Sequence, residues 1–180
     1  MKRLTGFTCV KGSQTRRIRM HRRLGLMTSA KVFALIAAIC LWEVQAMAVD
    51  GLITLRSSYG PKETMNRLET EVKAKGLTVF ARIDHAAGAA EVGLPLPATE
   101  LLIFGNAKGG TPLMQSVQTI GIDLPLKALV WQDASGTTWL SYNDPNWLAK
   151  RHGASHDVEP TVSSLTSALH ALAKGATGEQ

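Results

Sequence analysis

The chain has 180 residues, 20 of them Lys or Arg against 14 Asp or Glu, for a formal charge of +6. Residues 1–48 hold nine of those bases (Lys2, Arg3, Lys11, Arg16, Arg17, Arg19, Arg22, Arg23 and Lys31) and one acid, Glu43, which leaves 11 bases against 13 acids, net −2, for the rest. The basic balance therefore belongs to one end of the chain, and the remainder offers no electrostatic footprint for nucleic acid or for an anionic membrane.

Behind the basic region, Val32–Trp42 is an apolar run of 11 residues, which is signal-peptide length and short of the roughly 18 or more that a membrane span needs. Ala46-Met47-Ala48 supplies a small-x-small cleavage site. Residues 1–48 are expected to be a secretory leader cut before Val49, with Met20 and Met27 as alternative starts, and residues 49–180 a single domain in the periplasm or outside the cell. The membrane enters only through the leader, during export. Arg16-Arg17 and Arg22-Arg23 lack the large apolar pair that twin-arginine export uses, which favours the general route. Both cysteines, Cys9 and Cys40, fall inside the leader, so the domain is expected to have no disulfide, thiolate nucleophile or Cys-ligated metal.

In the domain, Gly51–Arg56 alternates as a first strand, and Tyr59-Gly60-Pro61 ends it. Pro61 suits the first position of a helix whose Met65, Leu68, Val72 and Ala74 form an apolar stripe. Gly76 should stop that helix in a left-handed conformation. Leu77–Ile83 reads as a strand packed on one side, with Phe80 on the other face and Asp84-His85 at its end. Ala86–Thr99 is a short helical turn followed by an extended Leu94-Pro95-Leu96-Pro97.

The centre of the chain is Leu101–Asp133. Leu101–Phe104 reads as a buried strand, and Gly105–Gly110 as a turn tolerant of positive φ. Thr111 is the expected N-cap of a helix that starts at Pro112 and reaches about Ile120. After Leu124-Pro125-Leu126, a strand over Ala128–Trp131 turns at Asp133–Gly136 into a returning strand, Thr137–Tyr142. Trp131 and Trp139 flank that hairpin where they pair across strands, as core or dimer surface. Asp144-Pro145 caps a short helix ending near His152-Gly153. A last helix from Pro160 aligns Val162, Leu165, Leu169 and Leu172, and the tail from Gly175 is expected to fray. Strand pairs mixed with single helices predict an α+β two-layer sandwich, with a mostly antiparallel sheet and helices packed on one face.

Five pieces in this order, Phe80–His85, Leu102–Asn106, Gly110–Met114, Ile122–Leu126 with Val130-Trp131, and Tyr142–Pro145 with Leu148–His152, resemble the DUF302 family, a small α+β domain of undefined activity. Ala107 departs from the family's Gly-Asn-Pro. The resemblance implies a two-layer fold, a homodimer as a frequent state, and no particular reaction.

Candidate chemistry is sparse. Asp84 and His85 end a strand, while His152 and His156 lie near the end of the penultimate helix; imidazole with carboxylate can ligate a metal or move protons near neutral pH. The bland reading is a turn whose side chains bond backbone, and a histidine beside a helix C-terminus. Asn106, Gly110 and Thr111 sit where backbone N–H groups at a helix start can hold a phosphate or carboxylate, although no nucleotide-binding signature follows; Asp144 is a further polar candidate. No serine has a nucleophile-elbow context. The expectation is a noncatalytic, exported module that binds a small ligand or a partner, without cofactor. The alternative is a metal-dependent or acid/base enzyme using Asp84, His85 and His152.

Overall fold

The computed structural model describes residues 49–179; the expected leader lies outside them. Five strands, β1 (Leu52–Arg56), β2 (Thr78–Asp84), β3 (Thr99–Gly105), β4 (Leu126–Gln132) and β5 (Thr138–Asn143), form one sheet in the order β1-β5-β4-β3-β2. Every neighbouring pair is antiparallel. The helices are α1 (Pro61–Ala74), α2 (His85–Glu91), α3 (Ala107–Ser116), α4 (Pro145–His152) and α5 (Glu159–Thr177), with 3-10 turns at Gln118–Ile122 and His156–Val158. The architecture is α+β.

The strands alternate, and one face takes the core. Leu55, Leu102, Phe104, Val130, Leu140 and Tyr142 point at α1, which contributes Met65, Leu68 and Val72, and at the second half of α5, which contributes Leu169, Leu172 and Ala176. Ala74, expected on that stripe, is exposed. Gly76 closes α1 at φ +69° and Gly153 closes α4 at φ +67°, left-handed positions that only glycine takes without steric cost. A second, smaller core joins Leu113 of α3, Ile120, Leu148 of α4 and Val158 and Val162 at the start of α5. Helix α5 therefore serves two clusters, one with each half of its length.

Three expectations change. The Gly-rich segment is the first turn of a helix: α3 begins at Ala107, its N-cap is Asn106, and Pro112 lies inside it. Asn106 wins because its Oδ1 accepts from the Gly109 N–H at 2.8 Å, which fixes the start several residues before Thr111. Gly110 is not among the positive-φ glycines, so it is not there for its conformational freedom. The tail from Gly175 does not fray either: α5 continues to Thr177, and Ala176 and Thr177 are fully buried. Arg67 donates to the Gly175 and Ala176 carbonyls at 2.9 and 3.3 Å, and the Ser58 N–H donates to the Thr177 carbonyl at 2.9 Å.

Candidate functional site

Where the two cores meet, they leave a gap. An open cavity of about 780 Å³ lies between the first turn of α3, the adjoining ends of β3 and β4, and α5. Its apolar wall includes Phe104, Leu126, Leu165, Leu169 and Leu172. The register of β2 against β3 slips between Val79 and Ala81, a bulge that re-aims a side chain. Phe80, the bulged residue, lines the cavity while 57 % exposed. Met114 lines it from α3 and is 37 % exposed. Large apolar groups left open to water beside a cavity mark a surface that can take up a ligand.

The polar part of the lining comes from Asn106, Lys108 and Thr111 on the α3 side and Thr161 and Ser164 on α5. Glycine at position 109 lets α5 approach: a Cβ there would stand 3.2 Å from Leu165 Cδ2. Asn106 occupies the Gly109 amide with its side chain and the Gly110 amide with its carbonyl. The Ala107 and Lys108 amides, at the first two helical positions, have no intrahelical acceptor. Among the described residues Lys108 is the one charged residue of the lining, and it makes no ion pair with any of them.

Of the seven residues singled out from the sequence, Asn106, Gly110 and Thr111 converge on this cavity. The other four do not. Asp84 caps α2, its Oδ1 accepting from the Ala87 N–H at 2.9 Å, and His85 begins that helix, exposed. Asp84 also borders a polar cleft of about 290 Å³ with Lys62, Arg82 and Glu100, where Arg82 is already engaged by Glu100 and Glu69. Asp144 caps α4, accepting from the Asn146 N–H at 2.9 Å.

His152 lies elsewhere. Its Nε2 is 2.7 Å from Asp123 Oδ2 and its Nδ1 is 3.2 Å from Thr119 Oγ1. The strand register shows how far Asp84 is from it. Asp84 pairs with Glu100, while the opposite end of the sheet has Val79 beside Phe104 and Phe104 beside Leu126, just after the turn carrying Asp123. Roughly 15 Å of strand separates the two levels, so Asp84 and His85 do not meet His152. Among the described residues no group of three or more His, Cys, Asp or Glu side chains is placed to hold a metal ion. His156 lies in the second 3-10 turn.

Sequence reasoning missed Asp123 and the α5 wall. Asp123 gives no local signal, because its partner is far along the chain. The α5 residues were legible as a helix stripe, but a stripe does not say which part of it is left uncovered.

A family model described as "Domain of unknown function DUF302" matches residues 53–172. Among curated proteins, the chain is 46 % identical over 130 residues to the "Fluoride-specific ion channel FluC 1" of Brucella suis biovar 1, covering 72 % of this chain and 51 % of that protein. The protein of the same name from Brucella abortus biovar 1 is also 46 % identical over 130 residues, covering 48 % of its length. The chain thus spans about half the length of these relatives. Among the described residues no helix is long and apolar enough to cross a membrane. A solved structure of an uncharacterized conserved DUF302 protein from Bacillus stearothermophilus superposes with a TM-score of 0.64 at 22 % identity, covering 71 % of this chain and 99 % of that one.

Proposed function

The chain belongs to the DUF302 family, and from that premise we propose that it is an exported, noncatalytic module that binds a small ligand in the cavity between α3 and α5. The observation that carries this reading is the cavity itself. Its volume, about 780 Å³, falls within the roughly 300–1,000 Å³ of small-molecule sites, and its lining is mostly apolar with a few convergent polar groups, the usual composition of such sites. Export is supported by the basic region, the apolar run and Ala46-Met47-Ala48. Native mass spectrometry of protein isolated from the periplasm tests both parts: the reading requires an N-terminus at Val49 and a retained small molecule. An intact leader in the membrane fraction contradicts export, and a ligand-free mass under gentle ionisation, with nothing in an organic extract, contradicts binding.

The proposed partner is a second copy of this chain. The sheet face opposite α1 and α5 carries Ile83, Leu101, Ile103, Leu129, Trp131 and Trp139, none of them buried. Trp131 and Trp139 pair across β4 and β5 with ring centroids 6.2 Å apart. Five strands of this length present roughly 500 Å², so two copies face to face reach about the 1,000 Å² that a specific interface needs. Light scattering after gel filtration, with Leu101→Lys as the disrupting variant, tests it; a wild-type monomer at micromolar concentration contradicts it.

The enzyme alternative built on Asp84, His85 and His152 has less support, because a shared centre needs those residues within about 7 Å of each other. A zinc-dependent rise in Tm abolished by both His85→Ala and His152→Ala would restore it. The ion-channel activity named for the Brucella relatives is not assigned to this domain.

A further inference from the structure

The cavity is polar at one end only. Along α5 its lining runs from Pro160, Thr161 and Ser164, through Leu165, to Ala168, Leu169 and Leu172. Thr161 to Leu172 spans about 16 Å at the helical rise. The Gly109–Leu165 approach places the start of α3 beside the polar stretch of α5, so Asn106, Lys108, Thr161 and Ser164 share one end. Phe104, Leu172, Leu77 and Phe80 supply the other. The polar end holds one cation, Lys108, and two helix-start amides free of intrahelical acceptors. Among the described residues no Asp or Glu lines any part of the cavity.

We infer that the ligand is a free single-chain amphiphile with an anionic head, a fatty carboxylate or an equivalent sulfonate. Its apolar chain lies along Leu165–Leu172 of α5, and its head lies against Lys108 and the first turn of α3. This inference rests on the ligand-binding reading above and adds the chemical class. The head gains a charge-assisted contact at Lys108 and donors from the Ala107 and Lys108 amides. A cationic head of the same chain length meets Lys108 with no acid to offset it. Burying the chain against apolar side chains contributes about 25 cal/mol for each Å² removed from water, so an uncharged alcohol binds as well, but more weakly.

The test is displacement of anilinonaphthalene sulfonate, itself an apolar ring system with one sulfonate, from the purified protein. Three competitors are used, dodecanoate and dodecyltrimethylammonium below their micelle-forming concentrations and dodecanol below its solubility limit. The expected result is displacement by dodecanoate at a concentration about tenfold below that of the cationic analogue, with dodecanol between them. Lys108→Glu should abolish or reverse the difference between the charged competitors while moving the dodecanol midpoint less than about twofold. Ala168→Trp should remove displacement by all three, and Ser164→Trp replaces it if its near-ultraviolet spectrum shows loss of the fold.

Dodecanoate and dodecanol displacing equally, with Lys108→Glu changing neither, overturns the anionic class and leaves the small-ligand reading standing. Failure of every competitor, with probe binding insensitive to both tryptophan variants, overturns the small-ligand reading as well. Co-sedimentation with phosphatidylglycerol vesicles by a protein that does not bind dodecanoate assigns the head chemistry to a membrane surface and overturns the free amphiphile.

Discussion

His152 Nε2 and Asp123 Oδ2 lie 2.7 Å apart, joining the last residue of α4 to the residue that follows the first 3-10 turn. Their side chains are 10 % and 15 % exposed, and Arg151 reaches the same carboxylate oxygen at 3.4 Å. The contact is a tether: it holds the Gln118–Asp123 segment, and with it Gly121 and Leu124 of the cavity wall, against α4. Hydrogen bonds to charged groups contribute about 1.5–3 kcal/mol. His152→Ala and Asp123→Ala should each lower stability by about 1–3 kcal/mol in urea melts. The double variant should cost clearly less than the two single losses added together, because the residues share one interaction. Full additivity would show that they act separately.

Asn106 should matter more than Thr111. Asn106→Ala removes the α3 cap and should cost about 1 kcal/mol, whereas Thr111→Ala, away from the cap, should stay within about 0.5 kcal/mol. Gly110 lies inside α3, and a Cβ there meets Leu124 Cδ1 at 3.6 Å, an ordinary contact. Gly110→Ala should therefore stabilise the domain by up to about 1 kcal/mol through helix propensity. Thermal melts of the three variants decide this, and a large loss at Thr111 or Gly110 would contradict the helix start described above.

The end of α5 is held by Arg67, which donates to the Gly175 and Ala176 carbonyls and stacks over Tyr59 at 4.2 Å from the ring centroid. Arg67→Ala should lower stability by about 1–2 kcal/mol. Truncation after Lys174 should cost at least that, since it exposes what Ala176 and Thr177 cover. Rapid amide exchange at Ala176 and Thr177 in the wild type would contradict this packing.

Asp133 organises the β4–β5 hairpin. Its carboxylate accepts from Ser135 Oγ at 2.6 Å, Trp139 Nε1 at 2.8 Å and the Thr137 and Ser135 amides at 3.0 and 2.8 Å. The Ser135 hydroxyl first, then the Trp139 indole, hold its pKa down at about 2 from an ordinary 3.8. A carboxyl lowered on folding stabilises fully above its unfolded pKa and loses that contribution as pH falls through the folded one. The Tm gap between wild type and Asp133→Ala should therefore be constant above about pH 4 and close toward pH 2. A gap unchanged at pH 2 would contradict the assignment.

Much of the fold was legible because its signals are local. Met65, Leu68 and Val72 fall at helical spacing, Gly76 and Gly153 mark helix ends, and Trp131 and Trp139 pair because a short turn fixes their register. The site was less legible. Thr111 read as the cap because Pro112 follows it, while Asn106 read only as part of the turn, and which of them caps α3 depends on where β3 ends. Asp123 and His152 meet only after two helical segments pack, and no spacing announces that. The cavity is a gap between two cores, so it appears only when both are assembled around α5.

The most direct measurement of the central claim, that this gap is a ligand site, is a series of 1H–15N correlation spectra of the protein titrated with dodecanoate. The account predicts saturable shifts centred on Gly105, Lys108, Gly109 and Gly110, extending to Leu126 and Leu172, and absent from Ala168→Trp. Shifts centred instead on Leu129, Trp131 and Trp139, or none at all with either dodecanoate or anilinonaphthalene sulfonate, would contradict it.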